Sequence, residues 1–257
     1  MKTQTKSQIV KIITKKGRIR PSDLAKLLKI TPQALHRHLK SLVAEKIIQS
    51  RGSSPKTVYE IIGRPDLEKI KDWFCSSKIT QNPSDISETR DVFQGRLNKF
   101  KDLKKSLQSD NLLALIISTT GEIGNNSFDH NMGQWSGVPG CWFNFQISGK
   151  FLWIVIADRG QGIFKSLSKV DASIKNDDEA LKIAFEKQIS GRSPERRGNG
   201  LKYVLNNILG NENRGIACHS GRAQICYGNL GMKCLKEMEN FPLRSYGTFT
   251  LMCWGIK

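Results

Sequence analysis

Acidic residues are almost missing from the first quarter of the chain. Residues 1–64 hold three carboxylates, Asp23, Glu45 and Glu60, against 15 lysines and arginines, while the other 193 residues carry 26 cations and 20 anions. The net charge of +18 is therefore uneven, with +12 of it in those first 64 residues. A local excess of this kind attracts polyanions, nucleic acid above all. Histidine is scarce: four in 257 residues, and none between 63 and 110. The six cysteines form no C-x-x-C pair and fit no zinc-ligand spacing, which leaves free, mostly buried thiols in a reducing compartment. Long apolar runs are absent; the longest, Phe151 to Ala157, is far too short to span a bilayer. Lysines recur through residues 1–20, so no signal peptide is expected and the cytoplasm is the expected location. Neither a Gly-Lys-Ser/Thr phosphate loop nor a G-x-G-x-x-G dinucleotide fingerprint occurs.

What is present at the N-terminus is a run of short amphipathic helices. Ile9, Val10, Ile12 and Ile13 give residues 7–16 an apolar face that Gly17 terminates. Ser22 is placed to cap a second helix over Asp23–Leu28, and a tight turn follows at Lys29-Ile30. Thr31-Pro32 then reads as an N-cap followed by proline at the first helical position. The third helix, from Pro32 to about Glu45, buries Ala34, Leu35, Leu39, Leu42 and Val43 and leaves Gln33, His36, Arg37 and Lys40 on the opposite face. Two β-like runs, from Ile47 and from Thr57, flank a Gly-Ser-Ser-Pro turn and form a hairpin. Three helices and a hairpin over residues 7–62 resemble the winged helix-turn-helix family. That resemblance implies double-stranded DNA as a partner, with Gln33, His36, Arg37 and Lys40 at bases or phosphates and Arg51 and Lys56 of the wing on the backbone. Protein docking or dimerisation is the other use such modules have.

Residues 65–94 read as a helical linker, with Leu67, Ile70, Trp73 and Phe74 at helical spacing before a break at Gln81-Asn82-Pro83-Ser84. Val92, Leu97, Phe100, Leu103 and Leu107 then suggest one longer helix, which either covers a sheet or supports a homodimer.

The segment from Leu112 to Met132 begins apolar and then presents Glu122, Asn126 and His130, four residues apart and so on one helix face. A buried strand, Phe-Leu-Trp-Ile-Val-Ile-Ala, delivers Asp158-Arg159-Gly160-Gln161-Gly162-Ile163. A carboxylate at a strand end can accept an amine, and glycines let the backbone pass close beneath a planar ligand. Arg196-Arg197-Gly198-Asn199-Gly200-Leu201 opens a further helix, whose exposed N–H groups attract anions. Tyr246-Gly247-Thr248-Phe249 enters a late strand.

Taken in order, Glu-x-x-x-Asn-x-x-x-His, Asp-x-Gly-x-Gly-Ile, Gly-x-Gly-Leu and the Gly-Thr strand resemble the GHKL (Bergerat) superfamily of DNA gyrase, sensor histidine kinases and MutL. The resemblance spans residues 95–257. It implies an α+β chain overall: a winged helix in residues 1–64, the linker, then an α/β sandwich with a mixed, mainly antiparallel sheet. It also implies ATP and Mg²⁺. Asn126 would hold the metal, Asp158 the adenine amine, and Gly160, Gly162 and Ile163 the pocket floor. Arg197, Gly198, Gly200 and Leu201 would hold the phosphates under a lid of residues 164–197. His130 and Thr248 would line the nucleotide, and Glu122 would be the general base. Asp129 stands where histidine kinases often carry a basic residue.

With no histidine in residues 63–110, histidine autokinase activity is not expected, and with the last strand near Lys257 no transducer domain is expected either. An ATP-controlled transcriptional regulator, a serine/threonine kinase of anti-sigma type acting on a small partner protein, and a plain ATPase switch remain open.

Overall fold

The computed structural model describes residues 2–44, 47–61, 67–76, 85–107, 109–137, 139–148, 150–187, 200–239, 241 and 247–256. The chain forms two compact units, the first comprising Met1–Arg64 with Ile147–Gly149 and the second Pro65–Gln146 with Lys150–Lys257.

In the first unit the order is α1 (Lys2–Lys16), β1 (Arg18–Ile19), α2 (Pro21–Leu28), α3 (Pro32–Ala44), β2 (Ile48–Arg51) and β3 (Val58–Ile61). Ile9 and Ile13, one turn apart on α1, close on Leu24 of α2, on Leu35, Leu39 and Leu42 of α3, and on Ile48. Burying each such side chain contributes about 1.5–3 kcal/mol before entropy is charged. Val43 is not part of this stripe and is 38% exposed. It stands about 100° round the helix from Leu42, and the stripe is already filled. The Thr31 hydroxyl accepts the Ala34 N–H at 3.3 Å, so α3 starts as its Thr-Pro pair dictates. Ser22 does not cap α2. The helix begins earlier, with Arg20 as its extended N-cap and Pro21 in the first turn, because proline's fixed φ and missing N–H suit that position.

The two-residue strand β1, too short to show any alternation, pairs antiparallel with β3 and completes a sheet of order β1-β3-β2. Its reason is ionic. Glu60 is buried and accepts from Arg18 Nε at 2.7 Å, from Gln49 at 2.6 Å and from Arg51 Nε. Burial alone would raise the Glu60 pKa, but these donors outweigh it and hold the carboxyl below its ordinary value.

The second unit contains α4 (Leu67–Cys75), β4 (Ile86–Ser87), α5 (Arg90–Leu97), a 3₁₀ segment (Asn98–Leu103), α6 (Lys104–Leu107), α7 (Asp110–Asp129), β5 (Cys141–Ser148), β6 (Phe151–Asp158), α8 (Ile163–Leu167), α9 (Asp177–Glu186), α10 (Gly200–Leu209), β7 (Arg214–Ser220), β8 (Ala223–Tyr227), α11 (Gly231–Glu237) and β9 (Thr248–Gly255). The sheet order is β4-β5-β6-β9-β7-β8. The pairings of β4 with β5, β6 with β9, and β7 with both β9 and β8 are antiparallel. None of them is the parallel ladder a mixed sheet would contain.

Alternation along the strands sorts the two faces. Trp153, Val155 and Ala157 of β6 and Phe249, Leu251 and Cys253 of β9 form one core with Ile70, Trp73 and Phe74 of α4 and with Cys234 of α11. The intervening residues face the layer of α7 and α10. Residues 65–94 are therefore no linker: α4 buries Phe74 completely, and β4 is the edge strand of the sheet. The long helix expected after them is three short elements, and Phe93 rather than Val92 is its buried residue. All six cysteines are free thiols, four of them buried.

Candidate functional site

Helix α7 is capped by the Ser109 hydroxyl and anchored by buried Leu113 and Ile116. Its second half carries Glu122 and Asn126, and His130 closes it as the C-cap, its N–H bonded to the Asn126 carbonyl at 3.1 Å. All three line one cavity of about 440 Å³. The opposite wall comes from the sheet: Ile156 and Asp158 of β6, Thr248 and Thr250 of β9, and Cys218 of β7. Gly162, Ile163, Gly200 and Leu201 complete the ring of residues expected from the sequence. Gly160 is not among the lining residues; its N–H donates to Asp158 Oδ1 instead. Arg197 and Gly198 lie outside the described residues, as do Arg192, Arg196 and Tyr246.

Asp158 is the most constrained group. It is 5% exposed and ends β6, directly opposite Thr248 in the β9 register. Its Oδ1 accepts from Asn131 Nδ2 at 3.0 Å and from the Gly160 N–H at 2.9 Å, and its Oδ2 accepts from Ser127 Oγ at 3.2 Å. Burial pushes its pKa up to about 6, and these donors, with the Thr248 backbone, keep it from rising further.

Asn131 holds this arrangement together. Besides Asp158, its amide donates to the Ser127 carbonyl at 2.9 Å, and its oxygen accepts the Gln161 N–H at 3.0 Å. A side chain at Gly160 would collide with it: a Cβ there would sit 1.9 Å from Asn131 Oδ1. Gly160 is therefore glycine to admit Asn131, and it supplies the floor only indirectly. Gly162, at φ 79°, is the N-cap of α8, and the next N–H, of Ile163, donates to Ser220 Oγ at 2.9 Å. At Gly200, the first residue of α10, a Cβ would lie 2.6 Å from Glu122 Oε2. The acidic side chain thus reaches the helix start where an anion would dock.

Sequence reasoning missed Ser127, Asn131, Ser220 and Arg90. Asn131 stands one residue after the His130 stripe and Ser127 one after Asn126, so only the turn at the end of α7 aims them at Asp158. Arg90 of α5 lines the cavity and pairs with Asp129. Cys218 is no nucleophile, because burial pushes its thiol up to about 12. Within the expected lid of residues 164–197, Leu167, Ile174, Ala180 and Ile183 pack α8 and α9 into a core of their own.

On the first unit, Gln33, His36, Arg37 and Lys40 are all exposed on the face of α3 opposite Leu35 and Leu39, and Arg51 and Lys56 are exposed at the wing. Arg51 shares its guanidinium with Glu60, which fixes where it points.

Residues 2–49 match the family model of winged helix-turn-helix DNA-binding domains. The first unit thus carries a winged helix-turn-helix of the DNA-binding type. The match ends within β2. No curated protein matches the chain. Among the described residues, no helix is long and apolar enough to cross a membrane.

Proposed function

We propose that the second unit binds ATP with Mg²⁺, and that the chain is a transcriptional regulator whose DNA binding responds to that nucleotide. One observation carries this reading: Asn126, Asp158, Gly162, Gly200 and Thr248, dispersed over more than 120 residues, line a single cavity. Its size falls within the roughly 300–1,000 Å³ usual for small-molecule sites. The order of these residues resembles the GHKL superfamily, and the antiparallel sheet with α7 and α10 on one face suits that fold.

The donor set fits the nucleotide. Asp158 offers a buried acceptor to the adenine amine, and Thr248 lies beside it in register. Gly200 opens a ten-residue helix, and its start favours phosphate. Among the described residues, no cluster of three or more His, Cys, Asp or Glu could hold a metal on its own. Asn126 would hold Mg²⁺ through its amide oxygen, with the phosphates and water as the other ligands. Mg²⁺ would neutralise phosphate charge. The protein's own work is to orient the base through Asp158, exclude water beneath it with Asn131 and Ser127, and aim Glu122 at the phosphate end.

Nucleotide can control DNA binding only through different affinities for two states of the chain. In the full chain, ATP·Mg²⁺ should change operator affinity several-fold, and Asp158→Asn should abolish that response while leaving nucleotide-free DNA binding intact. Equal affinity with and without ATP would contradict the regulatory reading. His36→Ala with Arg37→Ala should weaken DNA binding by roughly 1–3 kcal/mol for each base edge no longer read, and Lys56→Ala should lower the salt slope by about 1. Gel-shift titrations at several salt concentrations read both.

A second reading, phosphoryl transfer to water or to a hydroxyl of a small partner protein, rests on Glu122. Its carboxylate abuts Gly200, where it could take the proton of an attacking O–H. Glu122→Ala should lower phosphate release by about 10²–10⁴-fold with ATP affinity preserved. Unchanged turnover would remove the general-base assignment.

A further inference from the structure

The cavity wall is acidic. Its described lining includes Glu122, Asp129 and Asp158, against one guanidinium, that of Arg90, and no lysine. Among the described lining residues, carboxylates therefore outnumber guanidinium groups where a triphosphate would lie. Asp158 is engaged by donors within the fold, which leaves Glu122 and Asp129 as the other carboxylates of the lining. One of these, Asp129, is already neutralised by Arg90.

The position of Arg90 is built. Thr89 caps α5 by accepting the Val92 N–H, and Arg90 begins the helix. Phe93 is fully buried against Gly124, where a Cβ would come within 2.0 Å of the Phe93 ring, and its ring centroid lies 6.2 Å from that of Phe128. One turn from Arg90, Gln94 Nε2 donates to Asn125 Oδ1 at 2.9 Å. Arg90 and Gln94 on α5 thus meet Asp129 and Asn125 on α7 as two rungs of a ladder. A larger residue at 124 would collide with Phe93 and push α5, with Arg90, away from α7.

We infer that Arg90 binds the terminal phosphate of ATP, exchanging Asp129 for it, and so makes the site read the number of phosphates. This rests on the ATP reading above. The Arg90 side chain is 46% exposed and that of Asp129 18%. Ion pairs this accessible are weak, so exchange costs little. A guanidinium has five donors in a planar fork suited to phosphate oxygens, which a carboxylate partner does not exhaust. Asp129 then serves as a placeholder that orients the fork before nucleotide arrives.

The test is calorimetry on the full chain in Mg²⁺ with ATP, ADP and adenosine as separate probes. Arg90→Gln should weaken ATP about tenfold, the worth of one charge-assisted hydrogen bond, and change ADP and adenosine less than about twofold. Asp129→Asn, which releases the fork, should tighten ATP and leave adenosine unchanged. Arg90→Lys should restore part of the ATP affinity. Equal weakening of ATP, ADP and adenosine by Arg90→Gln would mean that Arg90 only positions α5, and unchanged ATP affinity would mean that it touches no phosphate. Either result overturns the inference. A chain with no adenine-nucleotide site would behave differently: unsubstituted, it would bind none of the three.

Discussion

Asp158→Asn should lower adenine-nucleotide affinity by about 100-fold, because a buried acceptor is replaced by an amide that turns a donor toward donors. Ser127 Oγ, Asn131 Nδ2 and the Gly160 N–H all point at this carboxylate. Asparagine offers them a single oxygen. The incoming amine would then meet either an occupied oxygen or an NH₂ group. Titration with adenosine isolates this effect from the phosphates. The same carboxyl makes two pH dependences of opposite sign. Burial raises its folded pKa from the ordinary 3.8 to about 6. A raised folded pKa contributes stability that is fully present below pH 4 and is lost as pH rises through about 6. The acceptor needed for the base, in contrast, is gained over that same window. Between pH 5 and 7, adenosine affinity should rise while this contribution to stability falls, and Asp158→Asn should flatten both. Parallel titration and thermal melts check the pair of trends. Adenosine affinity that falls with pH would contradict the role given to Asp158.

Gly247→Ala should destabilise the second unit by roughly 3 kcal/mol, the combined cost of a left-handed backbone and of overpacking. Gly247 sits at φ 84°, immediately before β9, and a Cβ there would lie 1.9 Å from the Asp158 carbonyl oxygen and 2.8 Å from the Arg159 Cα. Both obstacles are backbone, which cannot rotate aside. The melting temperature should fall by about 6–12 °C. Gly133 supplies the control. Its φ is 71°, yet nothing lies within 4 Å of its missing Cβ, so Gly133→Ala should cost only the strain, roughly 1 kcal/mol. Equal losses at the two glycines would show that the close approach at Asp158 contributes nothing. The substitution should also weaken nucleotide binding, because Gly247 sets the register that puts Thr248 opposite Asp158.

How far the sequence led depended on whether a residue's role is local. Glu122, Asn126 and His130 were legible because a period of four on a helix needs no knowledge of the partner. Asp158 was legible because a carboxylate after seven apolar residues must sit at a strand end. Leu35, Leu39 and Leu42 announced the face of α3 in the same way, and with it the opposite, exposed side. What could not be read was long-range pairing. Arg159 stands between Asp158 and Gly160 and has the look of a ligand-binding cation. It is 1% exposed instead, donating to the carbonyls of Trp73 at 2.5 Å and Phe74 at 3.2 Å, some 85 residues earlier. Those bonds tie the last turn of α4 to the end of β6, and they explain why α4, read as part of a linker, belongs to the core. β4 is two residues long and shows no period at all. The cluster within residues 164–197 was hidden for a similar reason: Ile174, Ala180 and Ile183 are spaced across a turn and a helix, and their common core appears only once α8 and α9 are folded together. Arg90 reached the site through a glycine, Gly124, whose purpose is to seat Phe93.

The regulatory reading, the role of Glu122 and the phosphate-reading role of Arg90 all require the cavity between α7 and the sheet to take an adenine nucleotide. Calorimetric titration of the full chain with ATP in Mg²⁺ tests this directly. One equivalent of ATP per chain should bind with measurable heat, and Asp158→Asn should remove the signal without unfolding the chain. An absence of heat with ATP, ADP and adenosine alike, from a chain that still binds DNA, would contradict the nucleotide assignment and leave the winged helix as the functional element established.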